Sequence, residues 1–316
     1  MTLPVIGLPE IRAAATQQLI IDSVRGALIA HAEGRTSVPS PLHLAFPDAG
    51  GDCHVKAGHV TGSPHFTVKV ASGFYRNPQL GLPTNSGVML VMDAKTGQPV
   101  AVLADGGWLT AWRTAAAGAL ITHALTAADV QDVAVLGAGL QARLQIEWLH
   151  FLRPLAVVKV WGRNAEAAER LSAQLRDSGI NAHPASLEEA TRSACVITAT
   201  AATAPLAPAE DFDAANHVTA IGADMPGKKE LPPALFRRAA IIATDDHIQC
   251  LEHGDFGNAV RAGCSAPDAD KAVGTILRDG TSTQAAFSIA DLTGIGAVDA
   301  TVAVAVLKAV GVPRTG

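Results

Sequence analysis

Val133-Ala134-Val135-Leu136-Gly137-Ala138-Gly139-Leu140-Gln141-Ala142 is the stretch that decides the fold: a short apolar strand runs directly into a glycine turn and then into a helical segment over 141–151. A GxGxxA spacing in a strand–turn–helix context opens a dinucleotide-binding βαβ unit. Each position has a physical reason. Gly137 permits the tight turn, Gly139 lets the backbone approach a pyrophosphate, and Ala142 allows the helix to sit close on the sheet. The unpaired N–H groups at the helix start face the anion, so Gly137, Ala138, Gly139, Leu140 and Gln141 are candidate cofactor-binding positions.

Downstream, apolar runs at 156–161, 195–198, 217–221 and 240–243 alternate with helical stretches such as 165–178. That rhythm predicts a parallel sheet. Upstream, an Ala-rich helix over 109–125 is preceded by strands at 65–70, 87–92 and 100–103, with Asp93-Ala94-Lys95-Thr96-Gly97 as a hairpin turn, and by an opening helix from Leu8 to about Glu33. These read as an antiparallel sheet. The Ala/Val-rich run after Asp299 reads as a helix returning to the first lobe. The expected fold class is therefore α/β: a Rossmann-type doubly wound parallel sheet over 118–296, plus a second, α+β substrate-binding and dimerisation domain over 1–117 with 297–316.

In NAD enzymes the second strand of the nucleotide fold ends in an acidic residue that bonds the ribose 2′-OH. Here the chain reads Trp161-Gly162-Arg163-Asn164, with no carboxylate. Arg163 suits a 2′-phosphate, which a guanidinium grips bidentately, so NADPH/NADP is the expected cofactor and NADH/NAD the alternative.

The 316 residues carry a net charge of -5 with scattered Lys and Arg, which excludes a polyphosphate-binding footprint. Apolar stretches break before the roughly 18 residues of a membrane helix, and the start shows no secretory pattern, so a cytoplasmic protein with no membrane or nucleic-acid partner is expected. The four cysteines, Cys53, Cys195, Cys250 and Cys264, form no CxxC pair. His247-Ile248-Gln249-Cys250-Leu251-Glu252-His253 reads as helix with a buried Cys, and no metal is expected.

Beyond single motifs, the chain resembles the ornithine cyclodeaminase/mu-crystallin family. The matching stretches are Val68-Lys69-Val70, Gly81-Leu82-Pro83-Thr84, Leu109-Thr110-Ala111-Trp112-Arg113-Thr114, the glycine turn, Ile221-Gly222-Ala223-Asp224-Met225-Pro226-Gly227-Lys228-Lys229-Glu230-Leu231 and Asp291-Leu292-Thr293-Gly294. The resemblance implies a homodimer, with the substrate held by the N-terminal lobe beneath the nicotinamide. It implies that Lys69 and Arg113 bind the substrate carboxylate, Lys69 also serving catalysis, and that Asp224 acts as the acid/base. Without it, Lys69 would read as a solvent-facing strand residue and Arg113 as a helix surface charge. Thr84, Thr114, Asn164, Thr200, Ala201 and Asp291 complete the expected cofactor contacts.

Two positions depart from the family pattern. Where cyclodeaminases place an upstream arginine, only His43 in Pro39-Ser40-Pro41-Leu42-His43-Leu44 is polar enough to bind substrate. Lys56 falls where ornithine enzymes carry a glutamate for the distal ammonium. Two cations about 4 Å apart at an effective dielectric near 20 repel by roughly 4 kcal/mol, on the order of a thousandfold in binding. A ring imine escapes that penalty, so a reductase of Δ1-pyrroline-2-carboxylate or Δ1-piperideine-2-carboxylate is expected. The alternatives are an ornithine cyclodeaminase, an alanine dehydrogenase-like enzyme acting on open-chain amino acids, and a non-enzymatic NADPH- or ligand-binding protein.

Overall fold

A computed structural model describes residues 3–280 and 287–311. The chain divides into two compact units: residues up to 114 together with those from 295 onward, and residues 115–294.

The first unit is built on a seven-stranded sheet. Its strands are β1 (Val5–Gly7), β2 (Thr36–Ser37), β3 (Leu42–Phe46), β4 (Gly51–Val60), β5 (His65–Phe74), β6 (Asn85–Asp93) and β7 (Pro99–Ala104). The order is β1-β7-β6-β5-β4-β2, with β3 also pairing β4. All pairs are antiparallel except β1 with β7, so the sheet is mixed rather than wholly antiparallel as the hairpin signals suggested. The turn between β6 and β7 is fixed by Asp93, whose Oδ1 accepts from Lys95 N, Thr96 N and Thr96 Oγ1.

The expected opening helix is two: α1 (Leu8–Ala14) and α2 (Gln17–Ala32). Thr16 breaks them, because its side chain accepts from Leu19 N and starts a new helix. The helix α3 (Trp108–Leu125) begins in this unit, and the last helix in chain order, Gly296–Val310, packs on α2, β4 and β5. Ile20, Val24, Val302 and Val306 are fully buried in that layer. Two glycines set its closeness: a Cβ on Gly58 would lie 2.2 Å from the Gly296 carbonyl carbon, and one on Gly296 would lie 2.0 Å from Ala57 O.

The second unit is an eight-stranded, all-parallel sheet. It comprises β8 (Asp132–Leu136), β9 (Val157–Trp161), β10 (Ala182–Pro184), β11 (Cys195–Thr198), β12 (His217–Ala220), β13 (Ile241–Thr244), β14 (Asp270–Ala272) and β15 (Ser288–Asp291). The order β10-β9-β8-β11-β12-β15-β13-β14 reverses direction between β8 and β11, which is the switch point of a doubly wound fold. Its central strands are buried on both faces and so read as short apolar runs. The helices include α4 (Leu140–Leu152) after β8, α5 (Ala165–Asp177) after β9, α6 (Leu187–Thr191), α7 (His247–His253), α8 (Asp255–Arg261) and α9 (Val273–Asp279), which makes the chain's last helix α10. Leu136, Val196, Phe212, Val218, Phe236, Phe256 and Ile289 form one cluster beside the sheet. Among the described residues no helix is long and apolar enough to cross a membrane.

Candidate active site

In the second unit β8 enters the glycine turn and α4 leaves it. Gly137 has φ +136°, and a Cβ there would stand 2.5 Å from Ala199 O, so only glycine fits. Gly139 is the helix N-cap, and a Cβ built on it meets nothing within 4 Å. The N-terminus of α4 thus begins beneath open space, with no side chain capping its first N–H groups. This cradle fits a pyrophosphate. Ala142 is fully buried, as close helix–sheet contact requires.

Gly162, at the end of β9, has a packing duty. A Cβ there would come 2.9 Å from the Ala138 Cβ, so Gly162 lets the glycine turn pack against the end of β9. Arg163 is exposed. Asn164 caps α5, its side chain accepting from Ala167 N at 3.0 Å.

At the C-terminal ends of β11 and β12 lies a residue to which the sequence reading gave no role. Glu230 is fully buried; Oε1 accepts from Thr200 N (2.6 Å) and Thr200 Oγ1 (2.7 Å), and Oε2 from Thr198 Oγ1 (2.7 Å) and Gly222 N (2.7 Å). One carboxylate therefore ties the loop bearing Thr200 and Ala201 to the loop bearing Asp224. Burial raises its pKa while these hydrogen bonds oppose the shift. Its own N–H is held by Asp255, whose carboxyl is pushed up to about 7 by burial and by the neighbouring Glu230 charge. Asp291, at the end of β15, is enclosed as well: Oδ2 accepts from Phe256 N at 2.8 Å, and burial holds the group well above the ordinary carboxylate range.

Asp224 follows β12 in a turn and accepts an ion pair from Lys228 at 2.7 Å, with 42 % of its side chain exposed. A carboxylate in that position is accessible and charge-compensated. The helix α7 carries no metal cluster: Cys250 is buried against Asp291 O and Thr293, while His247 pairs with Asp270.

In the first unit the sheet register brings the expected cations together. Lys56 of β4 stands directly opposite Lys69 of β5, so both side chains rise from one face. Exposure falls to 7 % for Lys56, 2 % for Lys69 and 5 % for Arg113 of α3, so none of the three is a surface charge. The face is closed by Asp299 of α10, which pairs with Lys69 Nζ at 2.7 Å through Oδ2 and with Arg113 Nε at 2.8 Å through Oδ1. Burial, followed by Arg113 and Lys56, lowers Lys69 to about 7, against the raising influence of Asp299. Asp299 is held below the usual carboxylate range because Arg113 and Lys69 outweigh its burial.

His43 is not in this cluster. It lies exposed on β3, opposite His54 in the register, their rings 4.6 Å apart. Thr84 and Thr114 fall in the first unit, both half-buried, and Thr84 O accepts from Phe74 N. Asp299 was missed because it was read only as a landmark in an apolar helix. The signal was present: an acidic residue inside Gly296–Val310, otherwise uncharged until Lys308, requires a buried cation.

Known proteins share this architecture. The chain is 36% identical over 273 residues to an uncharacterised cyclodeaminase of Sinorhizobium fredii, covering 84% of this chain and 82% of that one. It is 30% identical over 298 residues to the alanine dehydrogenase of Archaeoglobus fulgidus, covering 93% and 91%. A solved archaeal alanine dehydrogenase dimer with bound NAD superposes with a TM-score of 0.90 at 28% identity, over 98% of this chain and 96% of that one. Residues 8–308 match a single family model, and the chain belongs to the ornithine cyclodeaminase/mu-crystallin family.

Proposed function

We propose that the chain is an NADPH-dependent oxidoreductase that reduces the C=N bond of a cyclic imino acid, Δ1-pyrroline-2-carboxylate to L-proline or its six-membered homologue to L-pipecolate. The observation that carries this reading is the placement of Lys56: buried, and side by side with Lys69 on the face that Arg113 and Asp299 share. Such a face attracts a carboxylate and repels a distal ammonium, so a diamino acid is disfavoured and a ring imine accepted.

Arg113 and Lys69 orient the carboxylate, the guanidinium through its planar fork and the ammonium as a point charge. Lys56 supplies the third positive charge that His43, exposed on β3, does not. Asp224 balances the charge of the protonated imine nitrogen and exchanges its proton. The glycine turn and the start of α4 would hold the cofactor's pyrophosphate, and the reduced nicotinamide would supply the hydride for the imine carbon. Arg163 selects the 2′-phosphate. Assembly as a homodimer is supported by the apolar edge of the first unit, where Leu42, Leu44 and Phe46 of β3 are exposed, and by the dimeric state named for the archaeal alanine dehydrogenase.

A second reading, an amino-acid dehydrogenase acting on an open-chain 2-oxo acid and ammonia, is favoured by the relationship to alanine dehydrogenases. One assay separates them. NADPH oxidation is followed with Δ1-pyrroline-2-carboxylate, and with pyruvate with and without ammonia; ornithine plus NAD is run in parallel with ammonia detection. Ammonia-independent turnover of the ring imine, weakened by Lys56→Ala through a raised KM, is the expected result. Turnover of pyruvate only with ammonia, or of ornithine with ammonia release, overturns the proposal.

A further inference from the structure

In the first unit the groups read as a carboxylate-binding pair already hold a carboxylate of the chain itself. Asp299 lies 2.7 Å from Lys69 and 2.8 Å from Arg113, and all three are at least 95 % buried. Two roles fit such a contact. Asp299 either competes with the ligand as a plug, or stays in place and sets the charge of the cations for a ligand that binds beside it.

The surroundings favour the second. Lys69 faces Lys56 from β4, Arg113 from α3, Asp299 from α10 and, more remotely, Asp105 after β7, while its β6 partner Met89 is uncharged. Asp105 is itself buried, with Oδ2 accepting from Leu109 N and its pKa raised by burial. Buried beside two other cations, Lys69 would shed its proton readily without a close anion. The Gly58–Gly296 contact fixes the start of α10 against β4, three residues before Asp299, so a displacement of this carboxylate has backbone to move.

We propose that Asp299 is a resident counterion, a positioning residue that keeps Lys69 cationic and both cations aimed at a substrate carboxylate without being displaced by it. The inference rests on the reading of Lys69 and Arg113 given above. Its consequence is that ligand binding and Lys69 protonation are linked, and that Asp299 sets the pH at which the site works.

The test is binding of pyrrole-2-carboxylate, a planar acid that cannot be reduced, to the full-length protein with NADPH by calorimetry from about pH 5.5 to about pH 9. Asp299→Asn should move the midpoint of affinity toward acid by roughly 1–3 pH units, the shift expected when an adjacent opposite charge is lost. Near neutrality that is roughly a tenfold to hundredfold loss, and the gap should close at the acid end. Asp299→Glu should stay nearer to wild type. Tighter binding by Asp299→Asn at every pH would identify a plug, and uniform weakening with an unmoved midpoint would identify a merely structural residue; either overturns the inference. Should Asp299→Asn fail to fold, wild type gives a second readout: near about pH 6 Lys69 is already cationic beside Asp299, so binding should take up little or no proton, seen as a heat independent of buffer ionisation, and uptake of close to one proton there overturns the inference. If Arg113→Ala leaves binding unchanged, the carboxylate-site reading itself fails, an outcome distinct from the others.

Discussion

Glu230→Gln isolates the carboxylate that joins the two loops at the edge of the nucleotide sheet. The native oxygens accept two hydrogen bonds each: Thr200 N and Oγ1 on one, Thr198 Oγ1 and Gly222 N on the other. Glutamine keeps one oxygen and presents an NH₂ group in place of the other. Whichever way the amide turns, a backbone N–H, of Thr200 or of Gly222, meets a donor. A hydrogen bond to a charged acceptor contributes about 1.5–3 kcal/mol, and stranding a buried donor costs about 1–3 kcal/mol more. Loss of the buried charge returns part of this, since burial already raises the Glu230 pKa. A net destabilisation of roughly 3–4 kcal/mol follows. In a domain of this size that lowers Tm by roughly 6–16 °C. Calorimetric unfolding of the variant against wild type measures it, and cofactor titration should show weaker binding as the loops separate. A Tm within about 1 °C of wild type would refute the assignment of Glu230 as the tie between these strand ends.

Other perturbations test other parts of the structure. If Arg163 clamps the 2′-phosphate as proposed, Arg163→Ala should raise the KM for NADPH roughly tenfold or more while leaving that for NADH nearly unchanged; equal effects on both cofactors would count against a phosphate clamp. Gly137→Ala should destabilise by about 2–4 kcal/mol and abolish cofactor binding, because φ +136° and the Ala199 carbonyl at 2.5 Å exclude a Cβ; circular dichroism melts and a cofactor titration check both. Asp255 has its folded pKa raised to about 7, above its unfolded value, so the folded state binds the extra proton between the two. Its contribution to stability is full below the unfolded pKa and is lost as pH rises through about 7. Denaturant midpoints should fall across that window in wild type, and the slope should flatten in Asp255→Asn.

The nucleotide unit was legible in the sequence because its strands are buried on both faces and its helices follow at regular intervals. The glycine turn supplied the register. Strands β10 and β14 were illegible, being three residues each, and β15 carries polar ends whose burial is satisfied only by distant partners: Ser288 by His217, and Asp291 by Phe256 N. Strands β3 and β4 were hidden for another reason. Asp52-Cys53-His54-Val55-Lys56-Ala57 of β4 does alternate polar with apolar residues, but its buried positions, Lys56 and Gly58, lie on the face with His54, so the usual rule turns the wrong side inward. Of the site, the positions of Lys69, Arg113 and Asp224 came from the family pattern. The sequence could not display that Lys56 and Lys69 are cross-strand neighbours, since that depends on the turn between β4 and β5. Glu230 lies between Lys229 and Leu231-Pro232, where a surface carboxylate is the simplest reading; only the folded loops reveal its donors.

The first unit is discontinuous in the chain, and the order of synthesis gives that fact a consequence. Lys56, Lys69 and Arg113 are all made before residues 115–294, and Asp299 only after them. A nascent chain therefore completes the whole nucleotide unit while Lys69 and Arg113 still lack Asp299. The first unit cannot form the ion pairs of Lys69 and Arg113 until α10 docks, which makes the nucleotide unit the natural first structure to form during translation. It also makes α10 a late checkpoint on maturation, so truncation before Asp299 should leave a folded nucleotide unit and a first unit in which Lys69 and Arg113 lack the carboxylate they pair with.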